Sequence, residues 1–227
     1  MKKPISFYHR GAVRAFSLIE LLVVVMIIGI IMGFVVPAVN GFGRSSALTT
    51  GGNLVVNMVN LARQNAVTKN TMTALVLLKD QGTDQDFRAF AVLEYDPVAG
   101  WSQTGQWATL PVGVVVDRND TANCTFLANS PQTFPFLSRF PGQKNPPVTY
   151  QGQPVTAYAT RIFMANGGLQ NPQDPAQLRL VQGFNQGSQV IYTSRAGPGT
   201  AANYYDITIL GMTGTTKVDR PTALTTP

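Results

Sequence analysis

One carboxylate, Glu20, sits near the start of a long apolar run, and no basic residue lies within that run to pair with it. A lone acid in apolar surroundings is either a penalty or the partner of a cation supplied from elsewhere. Few other side chains are placed for chemistry. The only histidine, His9, precedes the run, so nothing downstream offers an imidazole base or a His metal ligand. Cys124 is the only cysteine, which excludes an intrachain disulfide and suits a small buried apolar residue better than a reactive thiol. Asp80, Asp84 and Asp86 are close enough in sequence to form part of a calcium loop. Calcium needs a full shell of oxygen ligands, and the EF-hand spacing is absent, so a solvated turn is the favoured reading and no cofactor is expected. Asp117 and Asp120 in "DRND" read as another turn. Asn119-Asp120-Thr121 and Asn123-Cys124-Thr125 match the N-glycosylation pattern, which is short enough to arise by chance. Trp101, Trp107, Tyr204 and Tyr205 suit core or loop packing better than a binding surface. A carboxylate enzyme using Glu94, Asp96 or Asp206 is the one catalytic reading left, with no nucleophile motif beside it.

The elements that must position these residues begin with a basic head. Lys2, Lys3, Arg10 and Arg14 precede the apolar run with no acid among them, and they supply most of the formal charge of +6. The rest of the chain carries 13 basic and 11 acidic side chains, scattered, which argues against a nucleic-acid surface. From Phe16 to Val36 the run holds 21 residues with Glu20 as its one charge. As a helix it is about 32 Å long, enough to span a hydrocarbon core. The basic flank keeps its N-terminal side cytoplasmic and exports the remainder. A cleaved signal peptide would have a shorter apolar region and no acid at its start. A plain single-span anchor explains the length and leaves Glu20 as a penalty. Gly29 and Gly33 form a G-x-x-x-G pair that lets helices approach closely. Pro37 removes a backbone hydrogen bond and predicts a helix kink, with Gly41 and Gly43 extending the soft region.

The sequence Phe16-Ser17-Leu18-Ile19-Glu20, followed by apolar residues to Val36 and by Pro37, resembles the N-terminus of type IV pilins and pseudopilins. The resemblance implies a cut between Ala15 and Phe16 by a dedicated aspartic prepilin peptidase, with N-methylation of Phe16. That family usually has glycine before the cut, and this chain has the next smallest residue, Ala15. A cut after Gly11 would lose the leading Phe and misplace the glutamate. Cleavage creates a cationic amine on Phe16 that the Glu20 carboxylate can neutralise on its own chain or on a neighbour. Glu20 then acts as an assembly register, because a helix docked out of step leaves both charges unpaired.

Beyond a kink or linker over 37–46, residues 47–227 read as an exported α+β body. Ala47 to Thr68 is helical in period, with Leu54, Val55, Met58, Leu61, Ala62 and Ala66 forming a stripe. Gly51 and Gly52 weaken its first turn. Strand candidates follow: "TMTALVLLK", "FRAFAVLEYD", "GVVVD", "VTAYATRIFMA", "QLRLVQG", "QVIYTS" and "YYDITILGM". The proline-rich stretch 129–154 reads as a long irregular surface loop. These predict one antiparallel sheet packed on a long N-terminal helix whose first half spans the membrane.

In this body "NLARQNAVTKNTMTALVL", "LPVGVVV" and "ITILGMTGTTKV" are similar to the GspH/FimT minor pseudopilins, and the "KVDRP" ending is similar to the Verru_Chthon cassette protein D group. The family resemblance implies a non-enzymatic subunit of a type IV pilus-like or type II secretion filament. Its partners would be the peptidase, other pilin or pseudopilin subunits and an inner-membrane assembly platform. Its location would be the inner membrane, single-pass, then a pilus or a periplasmic pseudopilus. The alternative is a single-span, membrane-anchored extracytoplasmic binding protein that does not polymerise.

Overall fold

The structure, a computed structural model, describes residues 17–128, 134–144, 147–197 and 199–220, and over 33–45 the backbone alone. The chain divides into two units, residues 1–43 and 44–227. Helix α1, Leu18–Thr68, runs through both. The backbone is helical through 37–46, the stretch expected to be a kink or linker, and continues into the helix expected from Ala47. One missing N–H at a proline does not end a helix whose neighbouring turns remain bonded.

In the first unit, every side chain described from Leu18 to Met32 is exposed, Leu18 at 88% and Met26 at 64%. In the second unit, Leu48, Val55, Val59, Ala62 and Ala66 of α1 are buried, at helical spacing. Of the expected stripe, Leu54 and Met58 are partly buried and Leu61 points outward at 41% exposure.

The strands that follow α1 are β1 Thr73–Leu78, β2 Ala89–Asp96, β3 Gly100–Thr109, β4 Val114–Val116, β5 Thr149–Tyr150, β6 Gln153–Pro154, β7 Tyr158–Phe163, β8 Ala176–Gln186, β9 Gln189–Tyr192, β10 Arg195–Gly197, β11 Thr200–Ala201, β12 Tyr204–Ile209 and β13 Thr216–Asp219, with a short helix α2, Thr125–Ala128. The fold is α+β and antiparallel, as expected. The single expected sheet is instead two larger ones, β3-β2-β1-β7 and β13-β12-β8-β4, with β9 paired to β8. Leu75, Leu77, Phe90 and Val92 of the first sheet share one core with Leu178, Leu180 and Ile207 of the second and with the α1 stripe.

The first sheet is buried on both faces, which is why "TALVLL" is apolar without alternation. Successive side chains point to opposite faces. Ala74, Val76 and Leu78 accordingly join a second cluster with Leu93, Tyr95, Trp101, Phe134, Val148 and Tyr158. Stretch 129–154 is thus not simply a surface loop. Its described part puts Phe134 and Val148 into that cluster, carries a 3₁₀ turn at Leu137–Arg139 and forms the β5-β6 hairpin. The aromatic residues needed a cover, and this segment is that cover. Strand β3 escaped the sequence reading because it is a polar edge strand, mostly exposed after Trp101. Its edge is partly closed by the Gln143 amide, which accepts from the Trp101 N–H (3.3 Å) and donates to the Trp101 carbonyl (3.0 Å). Gly100, at φ 84°, leaves room for that amide: a Cβ there would lie 2.7 Å from it.

If the proline-rich segment is core rather than ornament, Phe134→Ala should behave as a core truncation. The expected loss is about 3–5 kcal/mol of unfolding free energy, read from denaturant titration; a loss within the range of surface substitutions would contradict it.

Candidate functional site

The start of α1 is built by two residues. Ser17 precedes the first helical turn, and its Oγ accepts the Glu20 N–H at 3.3 Å. In return the Glu20 carboxylate accepts the Ser17 N–H at 3.0 Å and the Ser17 hydroxyl at 3.1 Å, both on Oε2. This is a capping box, Ser at the cap and Glu three residues on, and it satisfies backbone donors that a helix start leaves unpaired. Charge alone does not reveal this second task of Glu20; its signal in the sequence is the Ser-x-x-Glu spacing ahead of an apolar run. Among the described residues no bond is made to Glu20 Oε1. The carboxylate holds its own helix through Oε2.

Around this start the helix offers only apolar surface. A Cβ placed on Gly29 meets nothing within 4 Å, so that side of the helix is open to a close neighbour. Ala15 and Phe16 lie outside the described residues, as do the side-chain surroundings of Gly33 and Pro37. Among the described residues no helix is long and apolar enough to cross a membrane; their side chains stop at Met32, whereas the apolar run of the sequence continues to Val36.

The acids weighed for catalysis or metal binding each have a structural task. Asp80 pairs with Arg118 at 3.2 Å. Asp84 accepts from Gln85 at 2.8 Å. Asp86 accepts the Gly82 N–H at 2.8 Å and the Thr83 hydroxyl at 3.1 Å, closing its own turn. Asp80 and Asp86 do share a polar cleft of about 430 Å³, with the Arg118 cation in its wall. Among the described residues no group of three or more His, Cys, Asp or Glu side chains is placed to hold a metal ion. Glu94 pairs with Lys69 at 2.6 Å. Asp206 makes a two-pronged pair with Arg179, 2.7 and 2.6 Å, directly across the β8-β12 ladder. Asp120 takes the other end of the same guanidinium at 2.7 Å. Asp117 is buried and receives the Tyr192 hydroxyl at 2.9 Å; burial pushes its pKa up and pushes the Tyr192 phenol up to about 12. Burial likewise raises the Cys124 thiol to about 12, so it stays protonated and inert.

Two groups were missed in the sequence. Arg161, fully buried in β7, donates to the carbonyls of Thr160 (2.8 Å) and Thr125 (2.7 Å) and stacks on Phe126. Nothing in "ATRIF" marks it as interior. Arg63 of "LARQNA" donates Nε–H to the Thr213 carbonyl at 2.7 Å, joining the helix to the "GMTGTT" turn far along the chain.

Residues 10–36 match the prokaryotic N-terminal methylation motif. The match covers this N-terminal segment and leaves residues 37–227 outside it. No curated protein matches it. Among solved structures, the minor pseudopilin EpsH from the type 2 secretion system of Vibrio cholerae aligns at 12% identity and a TM-score of 0.41, over 77% of this chain and 97% of that one. The type IV minor pilin FimU of Pseudomonas aeruginosa aligns at 13% identity and a TM-score of 0.40, over 78% of this chain and 92% of that one.

Asp96 separates a turn cap from a working acid. Its carboxylate accepts the Val98 and Ala99 N–H groups at 2.7 and 2.8 Å, and the bonds from Ala99 and then Val98 hold its pKa below the ordinary value. A depressed folded-state pKa adds stability that is present above the unfolded value, about 3.9, and is lost as pH falls through the folded one. Asp96→Asn should therefore lower Tm at neutral pH and shrink the acid-side decline of Tm. An unchanged acid-side slope would show that these bonds do not matter.

Proposed function

We propose that the chain is a non-catalytic structural subunit, cut between Ala15 and Phe16, methylated on Phe16, stored in the inner membrane and assembled through α1 into a pilus or secretion pseudopilus. The observation that carries this reading is the exposed apolar surface of residues 18–32 around one acid. Water is a poor environment for such a surface. Burying each Leu, Ile, Val or Met side chain is worth roughly 1.5–3 kcal/mol, so the segment calls for lipid or for other helices. The basic head keeps the N-terminus cytoplasmic and places the body outside. The motif match over residues 10–36 supports processing of this kind.

In this scheme Glu20 has two tasks that the capping box makes compatible. Oε2 closes the helix start through Ser17, and Oε1 receives the Phe16 amine of the same or a neighbouring subunit. Gly29, with Gly33, gives close helix approach, and Pro37 gives α1 its flexible point. The body would then make the contacts with other subunits and with the assembly platform. A single-span binding protein would share the membrane segment and lack the processing.

Mass spectrometry of the mature chain should find Phe16 first, carrying a methyl group; a chain beginning at Met1 or after Ala38 would end the processing claim. Glu20→Gln isolates the charge, since glutamine can still close a capping box. Assembly should fall at least tenfold in Glu20→Gln while the chain still inserts and is cut. Normal assembly of that variant would sink the charge-register role.

A further inference from the structure

The Gly51-Gly52 pair and the C-terminal "KVDR" stretch have no part in the assembly scheme, yet they meet in the body. Two adjacent glycines inside a helix are a weak point, because each loses more backbone freedom than alanine and adds no packing of its own. Here both are buried. Gly52 lies under the Tyr205 ring, so closely that a Cβ would come within 2.4 Å of it. Gly51 faces Val114, 3.2 Å from an added Cβ. Tyr205 is itself buried, and its hydroxyl reaches Asn53 Oδ1 at 3.4 Å. The Arg220 guanidinium covers the Tyr205 ring, 4.3 Å from its centre, and Nη1 donates to Thr49 Oγ1 at 3.4 Å. Arg220 stands immediately after β13, whose pairing with β12 fixes it beside Tyr205.

We infer that the C-terminal strand is a clamp on α1: Arg220 and Tyr205 hold the Gly51-Gly52 turn helical. The glycines are needed for the ring to sit on the helix, and the ring with its arginine cap compensates for the weakness they introduce. Opening of α1 within the body from its N-terminal side would run only as far as this turn. Strand β13, with Arg220 after it, thereby anchors α1 at this turn. The inference stands on contacts inside the body and does not depend on filament assembly.

Hydrogen exchange of the full chain in detergent, read by peptide mass spectrometry, tests it. In the wild-type chain, peptides covering residues 49–56 should be protected like the rest of the α1 stripe. Arg220→Ala, an exposed position whose loss leaves the cores intact, should speed exchange of those peptides at least tenfold while β1 and β2 stay unchanged. Thr49→Val, which removes the acceptor hydroxyl and keeps the branched shape, should give a smaller rise in the same peptides. Unchanged exchange over 49–56 in Arg220→Ala would overturn the clamp. So would an equal rise throughout the body, which would mark Arg220 as a general stabiliser.

Discussion

The structure depends on how closely α1 can lie against two sheets at once. Ala62 and Ala66 are fully buried, and Gly51 and Gly52 bring the helix backbone to Val114 and Tyr205. Small side chains forgo area, roughly 25 cal/mol per Å² of it, in return for close approach. The approach is exploited directly: the Thr73 hydroxyl donates to the Ala62 carbonyl at 2.6 Å inside the core. A larger residue at either alanine would push the helix away from strands of both sheets together. The sheets would then lose their common core, in which Leu75 and Phe90 meet Leu178 and Ile207.

With so few charges, the body uses arginine as a cross-link rather than as a solubilising group. Arg118, Arg139, Arg161, Arg179 and Arg220 each lie over an aromatic ring. A planar cation can stack and donate at the same time, which lysine cannot do. Arg179 shows the principle fully, bound to Asp206 and Asp120 and stacked on Tyr204. The acids that look available for chemistry in the sequence are largely spoken for in this way. Buried Arg161 has carbonyls as its partners, and burial lowers its pKa while the Asp174 charge opposes that shift.

What could be read in advance followed from local physics. An apolar run with one acid, a period-3.6 stripe and short β-branched runs gave α1 and the apolar strands, because each pattern has one cheap way to be buried. Strand β3 and the cover over the second core were not legible. Their placement follows from distant partners: Gln143 for the β3 edge, and Trp101 with Tyr95 for Phe134. Prolines in 129–154 indicate irregular backbone correctly, yet they say nothing of whether aromatic residues between them point inward. Arg63 is the same case, an ordinary helical arginine until the Thr213 carbonyl comes to meet it.

The capping box uses residues 17 and 20 and needs nothing before them. A cut between Ala15 and Phe16 would therefore fall outside the box and leave every one of its bonds standing. The precursor and its product would share one helix start, already capped. Processing would change the charge at the end of α1 without changing its shape. A subunit could then wait in its final conformation, switched from inert to attachable by the appearance of a single amine.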